Sequence, residues 1–169
     1  AAQENWERLA SYLDEVQGSI PESKLGLCEN TAVDSVAGYF AMRYKECGIP
    51  VTFALDLPPQ LPAPETDLCS VLSNLLENAM EAGMKTAPER RRAKVAAHLH
   101  SGHMVLLSVE NTYDGKVREK DGVFLSSKRP GEGVGLQAVR HSAEKNGGYV
   151  RFHYGDGVFT ANVILRGGK

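Results

Sequence analysis

The sequence predicts a two-layer α/β sandwich, with about three helices on one face of a mixed, mostly antiparallel sheet of about five strands, preceded by a short helix. Three observations predict it. Helix-period and strand-period segments alternate through the first half of the chain, and two hairpin signals occupy the second half. The chain has 169 residues, 42% hydrophobic and 24% charged, which suffices for one domain with a core and a small appendage.

In chain order, "ENWERLASYLDEV" (4–16) sets Trp6, Leu9, Leu13 and Val16 at helical spacing, a helix too short to stand alone. Gly18 and Pro21 break it, so it reads as the tail of another unit followed by a linker. A second helix is expected over 30–47, ended by Gly48, and "IPVTFALDL" (49–57) alternates as a strand. After the proline-rich "PPQLPAP", a further helix begins with Thr66 or Asp67 as its cap and stops near Gly83. "AKVAAHLH" and "HMVLLSVEN" flank Ser101-Gly102 as a β-hairpin. Residues 112–130 are polar and broken by Gly115, Gly122 and Pro130, the length of loop that usually serves function. "GLQAVRHSAEKN" then forms a helix with Leu136, Val139 and Ala143 inward, ended by Gly147-Gly148. A last hairpin, "YVRFHY" and "VFTANVILR", turns at "GDG".

Composition excludes several functions. The net charge of −2 does not suit a nucleic-acid partner, and the basic run "ERRRAK" (89–94) reads as a solvated loop. Cys28, Cys47 and Cys69 are odd in number and widely spaced, which argues against a disulfide framework or zinc site and fits a reducing compartment. No apolar run is long enough to span a bilayer and no signal peptide opens the chain, so no membrane contact and a cytoplasmic location are expected of this fragment.

The unusual feature is "LSNLLENAMEAG" (72–83). Leu68, Leu72, Leu75, Leu76, Ala79 and Ala82 form one apolar stripe, and Asn74, Asn78 and Glu81 form a polar row along its margin. Glu77 points nearly the opposite way. Such a row either hydrogen-bonds neighbouring backbone or faces a ligand. Farther on, "PGEGVGL" (130–136) joins the long loop to a helix. Gly131, Gly133 and Gly135 allow close backbone approach, and a helix start offers free N–H groups to an anion such as phosphate. The run is neither GxGxxG, because residue 136 is Leu and no strand precedes it, nor a Walker loop, because no Gly-Lys-Ser/Thr occurs. An ordinary helix entry fits it equally. Lys128 faces solvent or, beside a phosphate cradle, pairs with a terminal phosphate. Asn111 ends a strand in phase with Val109, so it is either a turn residue or an inward polar group between sheet and helices.

In this order the segments resemble the ATP-binding domain of the GHKL superfamily, with its Bergerat fold, over roughly residues 28–169. "NLLENAMEA" resembles the N box, "VENTYDG" occupies the first glycine box, and "GEGVGLQAVR" is similar to the second. The resemblance implies ATP and Mg²⁺ as ligands. Asn78 would coordinate the Mg²⁺, Asn111 would meet the adenine amino group, and Gly133, Gly135 and Leu136 would line the phosphates and lid hinge. Hydrolysing members carry a glutamate where this chain has Asn74, and an amide cannot act as a general base. That departure favours phosphoryl transfer and hence histidine kinases. "NLLENAMEA", the strand end at Asn111 and "SSKRPGEGVGL" look like the divergent group that includes peptide-sensing quorum receptors.

By that resemblance residues 1–25 are the remnant of a dimerisation and phosphoacceptor region, and 26–169 form the catalytic domain. The acceptor histidine would lie upstream, because none of His98, His100, His103, His141 and His153 sits in an acceptor-like helix. The implied partners are the protein's own dimerisation helices, within a homodimer, and a response regulator. Two positions depart from the pattern. "NTYDG" replaces DxGxG, so an adenine bond to Asn111 lacks charge assistance, and Glu81 stands where many histidine kinases have a basic residue. The first departure motivates an alternative: a non-catalytic kinase-like module serving as phosphorelay or docking scaffold.

Overall fold

The structure, a computed structural model, describes residues 26–115, 119–120, 123–124 and 134–167. Three helices pack on one face of a five-stranded mixed sheet, as the sequence predicts. They are α1 (Thr31–Glu46), α2 (Glu65–Met84) and α3 (Val134–Lys145). The strands are β1 (Val51–Asp56), β2 (Ala93–His100), β3 (Met104–Thr112), β6 (Tyr149–Gly155) and β7 (Val158–Arg166). Two further strands of two residues, β4 (Glu119–Lys120) and β5 (Val123–Phe124), pair with each other inside the segment expected to be loop throughout. The expected helix at 4–16 lies outside the described residues.

The sheet order is β1-β2-β3-β7-β6, with β1 and β2 parallel and every other neighbour antiparallel. A parallel pair needs a crossover, and α2 supplies it, which carries that helix across one face of the sheet. Strand alternation then sorts the side chains. Val95, Val105, Leu107, Val109, Ala161, Val163 and Leu165 join the core beneath the helices. The opposite phase gives a second, smaller cluster of Ala54, Ala96, Leu106 and Ile164 on the other face.

Helix starts follow local chemistry. The Asn30 side chain accepts from the Val33 N–H at 3.0 Å and caps α1, while its amide donates to the Pro59 carbonyl (3.0 Å) and the Glu65 carboxylate (2.8 Å). One buried asparagine thus ties the start of α1 to the start of α2. Neither Thr66 nor Asp67 caps α2, contrary to the sequence expectation. The helix begins two residues earlier than a Thr66 cap would start it, at Glu65, with Pro64 in the capping position and no side-chain cap bond. Proline fixes the extended backbone there, and Asp67, already inside the first turn, is free to face α3. Ala82 is only half-buried, and Val71, Met80 and Gly83 complete the buried side of α2 instead.

The turns obey their sequence. Ser101 (φ 54°) and Gly102 (φ 74°) lie in the β2–β3 connection, and Asp156 (φ 53°) and Gly157 (φ 76°) join β6 to β7 with the two positive φ values of a tight hairpin. Arg91 does not behave as a solvated loop residue. Its guanidinium donates to the carbonyls of Cys47 (3.2 Å), Thr86 (3.0 Å) and Met84 (3.4 Å), holding the C-terminal ends of α1 and α2 together.

Candidate nucleotide site

The polar row of α2 divides between two neighbours. Glu77 faces α1, where its carboxylate lies 3.5 Å from Arg43. Asn74 and Asn78 face the start of α3. A Cβ placed on Gly135 would stand 3.3 Å from Asn78 Nδ2 and 3.5 Å from the Oδ1 atoms of both Asn74 and Asn78. The Asn74 amide donates back to the Ser70 carbonyl at 2.9 Å, which turns its oxygen toward the glycine. Asn78 Nδ2 is buried and has no hydrogen-bond partner. An orphaned buried amide costs roughly 1–3 kcal/mol, so its retention points to a group that completes it. Glu81, half-buried, follows one turn later on the same side.

The two helices run antiparallel, and the register is fixed at their far end. Asp67 accepts from Asn146 Nδ2 at 3.0 Å and lies 3.4 Å from Lys145 Nζ. Asn146 foremost, and Lys145 with it, hold the Asp67 carboxyl below its ordinary pKa. Asp67 and Asn78 are eleven residues apart, as are Gly135 and Asn146, so equal helical rise sets the glycine against the amide.

Asn111 lies at the same end of the sandwich. It shares the helix-facing phase of Val105, Leu107 and Val109 and is 5% exposed, so it is an inward group at a strand end. Its Nδ2 donates to the Thr112 carbonyl at 3.0 Å, which orients the amide with its oxygen as the remaining acceptor. Arg140 of α3 lies over the Phe152 ring, 5.6 Å from its centroid. Gly135 is five residues back along α3, about 7.5 Å, which brings it level with the row Tyr154, Phe159 and Asn111 across β6, β7 and β3.

The structure therefore gathers Asn74, Asn78 and Gly135 directly and sets Asn111 at the same open end, with Leu136 packed against the core. Lys128, Gly131 and Gly133 lie outside the described residues. Sequence reasoning missed the aromatic residues beside Asn111. Their signal was the strand-end placement of Tyr113 and Phe159, which only the β3–β7 register brings together.

As chemistry, side-chain oxygens of Asn74 and Asn78 beside a helix-start glycine suit a hard divalent cation and the phosphates it accompanies. The residues present fit a Mg²⁺–nucleotide. The fold and these groups define an α/β sandwich with an amide-lined cradle between two antiparallel helices, at the open end of its sheet. The chain belongs to the GHKL domain family, whose match covers residues 65–166.

Solved structures share the fold. The catalytic domain of histidine kinase ThkA has a TM-score of 0.62 at 21% identity, with 82% of this chain and 92% of that one covered. The mycobacterial sensor histidine kinase MprB gives 0.55 at 20% identity, covering 80% and 93%. Histidine kinase AdeS of Acinetobacter baumannii gives 0.60 at 17% identity, covering 98% and 79%. Curated protein sequences hold no match to this chain.

Proposed function

We propose that this chain is the ATP-binding catalytic domain of a two-component sensor histidine kinase, passing the γ-phosphoryl of ATP to a histidine upstream of residue 1. The observation that carries this reading is the buried Asn78 amide nitrogen, a donor without a partner set against Gly135 where a phosphate oxygen would accept from it, with an amide rather than a carboxylate at Asn74 one turn earlier. A residue there that cannot take a proton from water protects the bound nucleotide from hydrolysis and leaves the phosphoryl for another acceptor.

In this reading Asn78 and Asn74 hold the Mg²⁺, which neutralises phosphate charge, and the α3 start with Gly133 and Gly135 supports the phosphate chain. Lys128 pairs with the terminal phosphate, Glu81 contacts a metal-bound water, and the Asn111 oxygen accepts from the adenine amino group. Residues 1–25 belong to the dimerisation and phosphoacceptor region, and 26–169 to the catalytic domain. The full protein is a homodimeric, membrane-bound sensor of the peptide-sensing quorum type with this part in the cytoplasm, and a response-regulator aspartate takes the phosphoryl next.

Calorimetric titration with a non-hydrolysable ATP analogue, with and without Mg²⁺, tests the site. Metal-dependent binding that Asn78→Ala abolishes supports it. Phosphotransfer in a chain extended upstream, lost with Asn78→Ala, supports the kinase. The uncharged Asn111 favours one second reading, a docking or relay scaffold that has lost the nucleotide, and absence of binding at millimolar ligand selects it.

A further inference from the structure

The face of the sheet turned away from the three helices has an apolar centre that is buried. Ala54, Ala96, Leu106 and Ile164 form it, with Met104 packed against them. Leu106 is 0% exposed and Ile164 5%, and even Asn162, in the same phase, is buried. Ser108 and Ala96 stand beside Leu106 on this face, and their side chains are too short to shade a leucine. A sheet face left to water carries polar side chains instead, so a centre this apolar and this buried requires a layer above it. Among the described residues none supplies that layer, because α1, α2 and α3 all pack on the opposite face.

Outside the described residues the chain offers one segment of suitable chemistry. Residues 4–16 set Trp6, Leu9, Leu13 and Val16 on one helical row. The stretches 116–118, 121–122, 125–133 and 168–169 hold only Val117 and Leu125 as large apolar side chains. Attachment agrees with that choice. The described chain starts beside the end of edge strand β1, where the Cys28 thiol donates to the Leu57 carbonyl. Leu106 stands two strands in from that edge, about 10 Å across the sheet, and the nine residues 17–25 span about 30 Å when extended. Charge agrees as well. Glu4, Glu7, Asp14 and Glu15 outnumber Arg8 in the segment, while exposed Arg151 and Arg166 flank Ile164 on this face, with Asp56 at the opposite edge. We propose that the outer face of the sheet, centred on Leu106, is the docking surface for residues 4–16 of the same chain, with Trp6, Leu9, Leu13 and Val16 laid against it as one side of a helix. The contact needs no nucleotide and stands apart from the kinase reading. Within that reading it ties the catalytic domain to the segment that leads to the acceptor histidine.

The test uses the 169-residue chain with its four methionine methyls carbon-13 labelled and its one tryptophan, Trp6, as the fluorophore. Wild type is expected to show short-wavelength Trp6 emission, shielded from acrylamide and unchanged on dilution. Leu9→Glu with Leu13→Glu is expected to shift that emission to the wavelength of a water-exposed indole. The same variant should move the Met104 methyl resonance and leave Met80, buried beneath the helices, in place. Should Met80 move too, the variant has disturbed the fold, and Met104→Glu decides from the other side of the contact. Met104 is half-buried on the outer face, so its glutamate should red-shift Trp6 in the same way, and an unchanged emission there overturns the proposal. Water-like emission in the wild type also overturns it. A shift at Met42 in place of Met104 overturns it by putting the segment on the exposed Tyr39–Met42 side of α1. Shielding that disappears on dilution overturns it by assigning the segment to a second copy of the chain.

Discussion

Gly135 and Asn78 meet across the α2–α3 interface: a Cβ at 135 would come within 3.3 Å of the one amide nitrogen that is buried and unpartnered among the described residues. That separation admits an alanine only if the amide gives by a few tenths of an ångström. Gly135→Ala therefore separates fold from site. Alanine in a helix is favoured over glycine by up to about 1 kcal/mol, so thermal stability should hold or rise. The displaced Asn78 amide should lose about tenfold in Mg²⁺-dependent nucleotide affinity, as a misplaced positioning group does. Calorimetry and a melting curve on one sample check both halves.

Asn78→Ala removes the orphaned donor altogether. An interaction that stabilised the fold would cost about 1 kcal/mol or more when deleted, whereas deleting an unpaired buried amide relieves a penalty of similar size. The melting temperature should accordingly stay within a few degrees of wild type while metal-dependent binding disappears. A large loss of stability would mean that Asn78 is a structural asparagine and that the row beside the core is not a ligand site.

Much of this arrangement is legible in the sequence because helical spacing is regular. Residues 74 and 78 had to share a side of α2, and Glu77 had to leave it, wherever the helix sat. Alternation likewise fixed the inward phase of Asn111, and the hairpin turns announced themselves in Ser101-Gly102 and Asp156-Gly157. Pairings that join distant segments were not legible. Periodicity does not say that β1 runs parallel to β2, that Phe159 stands opposite Asn111, or that Arg91 reaches two helix ends. The cap of α2 was misplaced because Pro64 fixes the helix start by backbone geometry, which outweighs the capping preference of a nearby Thr or Asp.

Gly148 is a stricter position than Gly135. It follows the α3 C-terminus, and a Cβ there would stand 1.7 Å from the Ile164 carbonyl oxygen of β7. No rotamer relieves a clash with backbone, so helix and strand must separate. Gly148→Ala should cost at least about 3 kcal/mol, or roughly 10 °C of melting temperature for a domain of this size. Urea denaturation gives the value directly.

The clasp between Asp67 and the end of α3 predicts an acid-side effect. Its folded pKa is depressed by Asn146 and Lys145, so the contribution is present above the unfolded aspartate value of about 4. It is lost as pH falls through the lower folded value. Lys145 is largely exposed, and the contribution should stay below about 1 kcal/mol. Asp67→Ala should therefore be slightly less stable than wild type at pH 7, with the gap closing below pH 4. A gap independent of pH would assign the effect to packing rather than to the carboxylate.

Tyr44 makes the opposite prediction on the alkaline side. It is fully buried in α1, and its hydroxyl donates to the Leu76 carbonyl of α2. Burial foremost, with the nearby Glu77 carboxylate adding to it, raises its pKa well above the ordinary tyrosine value of about 10. Tyr44→Phe should cost about 1 kcal/mol at pH 7, the usual worth of a buried hydrogen bond. Above pH 10 the unfolded tyrosine ionises while the folded one stays neutral, so the unfolded state gains by up to about 1.4 kcal/mol per pH unit. The wild-type advantage over Tyr44→Phe should then shrink and invert between pH 10 and pH 11.5, because phenylalanine has no proton to lose. Paired urea titrations across that interval measure the difference free of the other tyrosines and lysines, which the two proteins share. A constant difference would mean that the hydroxyl opens to solvent and that the α1–α2 contact is looser than its geometry implies.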